Sequence, residues 1–161
     1  MAQDETMDRI AAAIARLHSG DRDGARTAFS QIWAGMGEAP DPFHVCILSH
    51  YMADSQEEVS RELEWDLRAL AAADDVTDGR AKAHHESLSI GSFYPSLHLN
   101  AGDCYLRLGD IAKAREHVRA AEAAIGNLPD SPLAETTRTG IARLARRVEE
   151  AAGARGQSRR P

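Results

Sequence analysis

Apolar residues along the chain recur at intervals of three and four positions, the spacing that places side chains on one face of an α-helix. The first stripe contains Ile10, Ala13, Ile14 and Leu17. A glycine and an aspartate follow at positions 20 and 21, a pair that ends one helix and caps the next. A second stripe then contains Ala25, Phe29 and Ile32. Because helices joined by such a short turn pack as antiparallel neighbours, the pattern predicts a helical hairpin over residues 7–36.

Two further hairpins are predicted from the same kind of pattern. In the first of them, over residues 42–73, Asp41 caps the opening helix and Pro42 occupies its first turn. In the other, over residues 95–126, a helix opened by a proline stops at Gly109 before the next apolar stripe begins. Residues 74–94 lie between these hairpins and are predicted to be an insertion, with helix, lid and loop all left open.

The end of the chain predicts one more helix and a tail. Ser131 and Pro132 mark the start of a helix over residues 132–150, whose apolar face would cover the end of the third hairpin. Its outward side carries arginines, which suits a solvated surface. Residues 153–161 show no apolar periodicity and are predicted to form a disordered basic tail.

The hairpins also resemble one another in sequence. Between the first two, small or apolar residues recur at an offset of 34 positions, as in Ala13 and Ile47 or Phe29 and Leu63. Repetition at such a period is typical of proteins built from stacked helical hairpins.

Residues 98–118 resemble the tetratricopeptide repeat, abbreviated TPR. The residues that match it in type and spacing are Gly102, Tyr105, Gly109, Asp110 and Ala114. Three positions depart from it: His98 stands where Trp is usual, Ala101 where Leu is usual, and Val118 where an aromatic residue is usual. In such a repeat the small residues let the paired helices approach closely, and the tyrosine fills the space between them.

The resemblance implies an all-α fold, a TPR-like antiparallel helix-hairpin solenoid with about three repeats and a C-terminal capping helix, in one domain over residues 1–152. It also implies a concave face lined by the first helix of each pair, where a peptide or a partner protein binds. The residues expected to make those contacts are His44, Tyr51, Tyr94, Leu99, Asp103 and Arg107. In this hypothesis the protein is a non-catalytic interaction module and not an enzyme.

Charge limits the partners that fit. The net charge is −6, and residues 1–153 carry 16 basic against 25 acidic side chains. A body this acidic repels phosphate, so we expect no nucleic-acid partner. The sequence contains no apolar run of the roughly 20 residues that a membrane helix needs. The N-terminus also lacks the apolar stretch of a signal peptide. We therefore expect no membrane association and a cytoplasmic location, and a homodimer is left open.

The seven histidines and two cysteines show no metal-binding signature. Cys46 and Cys104 lie far apart in the sequence and inside predicted helices. We therefore expect both thiols to be reduced and buried. His50 follows Cys46 by one helical turn and precedes Asp54 by another. Zinc sites need three or four converging ligands, so we predict no metal and no cofactor.

An alternative hypothesis gives the insertion a larger part. His50 with Asp54 is the best candidate for an acid–base pair, because a carboxylate one helical turn away can orient an imidazole ring. The simpler interpretation is a local hydrogen bond near the end of a helix. Phe93 and Tyr94 are two aromatic residues in a predicted loop, either recognition residues or pegs that seat the insertion. In the alternative, the insertion closes over the groove and forms a small-molecule pocket, with or without enzymatic activity. Its residues would be His50, Asp54, Trp65, Tyr94 and His98.

Overall fold

The computed structural model describes residues 3–76 and 93–158. Within these ranges the chain forms seven α-helices and no strand, which confirms the all-α prediction. In chain order, the helices are α1 (Glu5–His18), α2 (Arg22–Ala34), α3 (Pro42–Asp54), α4 (Val59–Ala73), α5 (Tyr94–Arg107), α6 (Ile111–Ile125) and α7 (Pro132–Ser158). Most of the predicted insertion over 74–94 lies outside the described residues. None of these helices combines the length and apolar character needed to cross a membrane.

The chain falls into two compact units, Met1–Arg80 and Ala81–Pro161. The first unit contains the hairpins α1–α2 and α3–α4. The second unit contains the hairpin α5–α6 and the long helix α7, which packs against both of its helices. The observed order of elements, three hairpins followed by a terminal helix, agrees with the order predicted from the sequence. That the units act together as one domain over residues 1–152 stays a prediction.

The turn of the first hairpin closes one helix and caps the next with two consecutive residues. Gly20 has a φ of 95°, a left-handed conformation that glycine adopts without steric cost. Asp21 then donates its backbone N–H to the carbonyl of Arg16 at 3.0 Å, which satisfies an acceptor at the end of α1. The same aspartate accepts the N–H of Gly24 at 3.0 Å and caps α2.

The third hairpin repeats this turn. Gly109 has a φ of 85°, and Asp110 donates its N–H to the carbonyl of Tyr105 at 2.9 Å. The Asp110 carboxylate accepts the N–H of Lys113 at 3.1 Å. The Gly-Asp pairs read from the sequence therefore form equivalent turns in both hairpins.

The second hairpin has no glycine at its turn and uses side chains instead. The end of α3 is held by Ser55 and Gln56, whose side chains both donate to the carbonyl of Met52. Arg26, on α2, donates to the carbonyl of Ser55 at 2.8 Å, and Arg22 donates to the carbonyl of Gln56. Two arginines one turn apart on α2 thus satisfy backbone acceptors beyond α3, which joins the two hairpins of the first unit.

The core of the first unit is centred on α3, which buries side chains around most of its circumference. A helix that is apolar on every side is an interior helix. Its buried residues are Phe43, Val45, Cys46, Ile47, Leu48, Ser49, Met52 and Ala53.

The core of the second unit depends on close approach of three helices at a glycine. A Cβ atom at Gly102, on α5, would lie 3.0 Å from Leu144 Cδ2 and 3.2 Å from His117 Cβ. Ala114, on α6, is fully buried, and Tyr105 packs against the same cluster. This is the arrangement that the small residues of the repeat predicted. From α7 the buried residues are Ala134, Thr137, Ile141, Leu144 and Val148.

The end of α7 differs from the prediction. The helix was expected over residues 132–150 with a disordered tail from 153, but it continues to Ser158 and is 27 residues long. Ala151 and Ala152 remain half-buried, so the helix keeps packing after the last apolar residue of its stripe. Residues 151–158 contain three alanines, one arginine and one glutamine, which are good helix formers and outweigh the two glycines. Residues 159–161 lie outside the described residues.

We predict that Gly20→Ala lowers the free energy of unfolding by about 1–2 kcal/mol, because an L-residue is strained at positive φ. Nothing lies within 4 Å of a Cβ at this position, so backbone strain is the only cost. Urea denaturation followed by circular dichroism measures the change. The control is Gly153→Ala, in the exposed part of α7 with open space around it, which should raise stability by roughly 0.5–1 kcal/mol. Equal effects of the two substitutions would contradict the role of the turn.

Candidate functional site

In the first unit, α1 and α3 are joined at both ends by polar and aromatic side chains. Asp4 caps α1 by accepting the N–H of Met7 at 3.0 Å, and its other oxygen lies 2.9 Å from Nε2 of His44 on α3. Toward the opposite ends of the two helices, the rings of His18 and Tyr51 meet edge to face with centroids 6.0 Å apart. The N-terminus of α1 lies beside the N-terminus of α3, so the two helices run parallel.

We define the α1–α3 face by the side chains that make these contacts and the histidine next to them: Asp4, His18, His44, His50 and Tyr51. The imidazole of His44 is partly accessible, with 14% of its side chain exposed, and 31% of the Asp4 side chain is exposed. The groups are thus held in place by their neighbours and still reach the surface. Two of them, His44 and Tyr51, were predicted to contact a partner.

The environment of His50 determines its charge. Its ring lies 4.9 Å from that of Tyr51, edge to face. Burial lowers the pKa of His50, and the negative charge of Asp54 opposes that shift. Desolvation raises the pKa of Asp54, and His50 opposes it, while burial also raises the pKa of Tyr51. A neutral histidine and a neutral tyrosine therefore stand next to each other at physiological pH.

A neutral imidazole offers one hydrogen-bond donor and one acceptor, and a tyrosine hydroxyl offers both. The α1–α3 face combines these groups with the apolar edges of the rings. An extended peptide presents alternating amide donors and carbonyl acceptors along its backbone, so its chemistry complements such a face.

The predicted residue Trp65 lies in a different aromatic group of the first unit. Its ring meets that of Trp33 edge to face at a centroid distance of 5.3 Å. The Arg68 guanidinium stacks on both rings, 4.2 Å from the centroid of Trp65 and 4.9 Å from that of Trp33. These contacts join α2 to α4 through cation–π and aromatic interactions.

In the second unit, Leu99, Asp103 and Arg107 lie on α5, and the first two of these predicted partner-binding residues contact α7. Leu99 packs into the core, and Gly140 is so close that a Cβ there would lie 2.9 Å from Leu99 Cδ2. Asp103 forms ion pairs of 2.8 Å with Arg107 and with Arg147 of α7. Leu99 therefore has an internal packing role that the sequence did not indicate, whereas Asp103 and Arg107 are surface ion-pair partners.

A row of four aromatic rings occupies the hairpin α5–α6. Tyr94 stacks on His98 with centroids 6.2 Å apart, and His98 faces His117 with Nδ1 atoms 3.0 Å apart. Tyr105 stacks on His117 with centroids 5.3 Å apart. His98 is half-buried within this row, so the histidine that replaces the usual tryptophan is part of an aromatic group.

The five residues of the alternative pocket are therefore found in three described groups. His50 contacts Tyr51 and is influenced by Asp54, Trp65 contacts Trp33 and Arg68, and Tyr94 stacks on His98. The part of the insertion that would close such a pocket lies outside the described residues, and the pocket remains a prediction.

Four residues that sequence reasoning missed complete these groups: Asp4, His18, Trp33 and His117. Asp4 and His44 are 40 residues apart in the chain, and His98 and His117 are 19 apart. Asp4 could have been recognised as a helix cap from its position before the first stripe. Its pairing with His44 follows only from the register of one helix against another.

Comparison with known proteins gives a likeness in structure alone. No protein-family model matches the chain, and no curated protein matches its sequence significantly. The fold resembles that of PcrH. The structure of PcrH in complex with the chaperone binding region of PopD superposes with a TM-score of 0.62 and 16% sequence identity, covering 96% of each chain.

Two further PcrH structures give the same likeness. In complex with the chaperone binding region of PopB, PcrH matches with a TM-score of 0.56 and 16% identity, over 91% of this chain and 97% of the other. PcrH from Pseudomonas aeruginosa matches with a TM-score of 0.51 and 16% identity, over 94% of this chain and 95% of the other. At this identity the comparisons establish a shared TPR-like helical fold.

We predict that NMR titration of the His50 imidazole gives a pKa below the usual 6.5, because burial disfavours its charged form. In Asp54→Asn that pKa falls further, since the carboxylate that favours the charged ring is gone. The control is Asp75→Asn, an exposed residue after α4. A His50 pKa that rises in Asp54→Asn would contradict this.

The lowered pKa of His50 also makes the free energy of unfolding depend on pH. A histidine with a lowered pKa in the folded state binds fewer protons than in the unfolded chain below about pH 6.5, so its contribution to stability falls as pH drops through that value. His117 acts in the same direction, because burial lowers its pKa as well. Asp54, with its raised pKa, acts in the opposite direction at more acidic pH.

We predict that iodoacetamide alkylates Cys46 far more slowly in the folded protein than in urea. Cys46 is fully buried, and burial raises the pKa of its thiol to about 12, so almost no reactive thiolate is present at pH 8. Mass spectrometry of tryptic peptides follows the reaction at this site. Cys104 is also buried. Rapid native labelling of Cys46 would show that α3 opens readily.

Proposed function

We propose that the protein is a non-catalytic, TPR-like interaction module that binds an extended segment of a partner protein. The observation that carries this proposal is the structural likeness to PcrH, which extends over 96% of both chains and is to a structure containing a bound region of PopD. The resemblance of residues 98–118 to a tetratricopeptide repeat supports it independently, because such repeats form scaffolds for partner binding.

We place the first contacts of the partner on the α1–α3 face. Its helices are the first members of their hairpins, which is where the resemblance to the repeat family puts the binding surface. The rings of His44 and Tyr51 are held by Asp4 and His18, so little conformational entropy is lost when a partner binds them.

Within the second unit, the residues that we propose as partner contacts are Tyr94, Asp103 and Arg107. Asp103 and Arg107 form exposed ion pairs, which are worth little individually and exchange readily with charges on a partner. Leu99 is partly buried and packs against the core, and it stays a predicted partner contact. The acidic body of the chain disfavours nucleic acid as a partner. We also propose a cytoplasmic location for the protein.

Site-specific photo-crosslinking in the native host tests the position of the surface. A benzophenone amino acid replacing Tyr51 is expected to crosslink one protein reproducibly, because Tyr51 belongs to the α1–α3 face. The matched control carries the same group at Gln31, an exposed position of α2, and should give no such adduct. Crosslinking of the same protein from Gln31 but not from Tyr51 would contradict the assignment.

The crosslinked segment then provides a defined ligand. A fluorescent peptide of that sequence should bind the wild-type protein, and Tyr51→Ala should weaken binding about tenfold, the loss of roughly 1.4 kcal/mol. His44→Ala should weaken it in the same direction, because it removes an imidazole from the face. Gln31→Ala is the control. Unchanged affinity in both face variants, with helicity retained, would show that the segment binds elsewhere.

A further inference from the structure

The negative charge of the chain is confined to its first unit. Met1–Arg80 contains 16 acidic and 7 basic side chains, whereas Ala81–Pro161 contains 9 acidic and 12 basic ones. The first unit therefore carries a net charge of −9 and the second +3, which together give the −6 of the whole chain. The α1–α3 face belongs to the first unit, so a ligand that approaches this unit meets a negative potential.

Carboxylates are concentrated at the end of the face where α1 and α3 begin. They are those of Asp4 and Asp41, which cap the two helices, and of Glu5 and Asp8 in the first turn of α1. A helix N-terminus carries roughly half a positive charge, so the two helix ends offset only about one of these four charges. Arg9 and, when it is protonated, His44 offset two more. This end of the face therefore stays negative.

The opposite end of the face, where α3 ends and α4 begins, is negative as well. Its four carboxylates are those of Asp54, Glu57, Glu58 and Glu62. Burial raises the pKa of Asp54, and the negative charge of Glu62 adds to that rise. His50, His18 and Arg22 oppose the rise. A cation supplied by a partner would act in the same direction as these three groups and stabilise the charged carboxylate of Asp54.

The arginines of the first unit are largely engaged with other groups. Arg16 lies 2.6 Å from the carboxylate of Asp21. Arg26 pairs with Asp23 at the same distance. The guanidinium of Arg68 stacks on two tryptophan rings. A cationic ligand can therefore pair with the carboxylates at the two ends of the face without first displacing these side chains.

We propose that the segment bound by the α1–α3 face is cationic, with lysine or arginine side chains that reach the carboxylates at both ends of the face. This inference rests on the proposed function, because it names the chemistry of the same ligand. Between the two charged ends, the rings of His50 and Tyr51 would contact the apolar parts of the segment.

The length of the face sets the spacing of the basic residues. His44 and Asp54 are ten residues apart on α3, so the two ends are separated by about 15 Å along the helix. An extended chain that runs along the helices covers this distance in about four or five residues. We therefore expect the segment to carry basic residues at that separation.

The expected consequence of these charges is selectivity rather than very tight binding. Ion pairs at exposed carboxylates contribute little affinity individually, because water and salt screen them. A negative face nevertheless attracts basic segments, speeds their association and disfavours acidic ones. The preference should therefore be visible among competing peptides and should weaken as salt is added.

Selection from a library of short randomised peptides displayed on phage tests this preference. The full-length protein is the target at about 0.1 M salt, and peptides that also bind Tyr51→Ala are discarded. We expect the enriched peptides to gain lysine and arginine relative to the starting library, about four or five residues apart. Enrichment of neutral or acidic peptides would overturn the inference and leave the proposed function standing. If no peptide is enriched, the result counts against the proposed function itself.

The affinity of the most enriched peptide then locates the charges. Asp54→Asn should weaken binding about threefold at roughly 0.1 M salt, because one exposed ion pair is lost. The loss should disappear at roughly 1 M salt, where the screening length falls from about 10 to 3 Å. Glu64→Gln removes the same charge from an exposed position of α4 and should leave the affinity unchanged.

Two outcomes of these measurements would contradict the assignment. Equal losses in Asp54→Asn and Glu64→Gln would show that the peptide responds to the charge of the whole unit and not to the carboxylates of the face. An affinity of the wild-type protein that does not fall between the two salt concentrations would show that charge does not select the segment. The second measurement needs no variant to fold.

Discussion

Close approach of helices at small residues is the constraint on which the second unit depends. A Cβ at Gly102 would lie 3.0 Å from Leu144 Cδ2 and 3.2 Å from His117 Cβ, closer than side chains normally pack, and Ala114 is fully buried on the facing helix. A larger residue at either position would overpack the contact between the helices, and overpacking costs about 1–3 kcal/mol. The distance between His98 and His117 follows from the same approach, so core packing and the chemistry of the histidine pair have one cause.

The hairpins of the first unit are connected by a different device. Where the second hairpin lacks a glycine at its turn, Arg22 and Arg26 of α2 donate to the carbonyls that follow α3. Hydrogen bonds to a charged donor are stronger than neutral ones, and here they orient one hairpin against the other. This support acts on α3, the helix that carries His44 and Tyr51, so the α1–α3 face is presented by a well-anchored element.

The polar and aromatic groups of the two units differ in kind. The α1–α3 face has aromatic rings and hydrogen-bonding groups at the surface, which suits a peptide whose backbone presents both donors and acceptors. The histidine pair lies within one hairpin, where Tyr94 stacks on His98 and Tyr105 stacks on His117.

The helices and their turns could be read from the sequence, because the signals that set them are local. Apolar spacing, the Gly-Asp pairs and the caps at Asp21, Asp41 and Asp110 act within a few residues of the helix end that they define. The extension of α7 to Ser158 was missed because half-buried alanines give a weak apolar signal. Only the tertiary structure decided which polar and aromatic side chains meet, as in Asp4 with His44 and His98 with His117. Those pairings depend on the axial register and crossing of packed helices, and a shift of one residue rotates a helical side chain by about 100°.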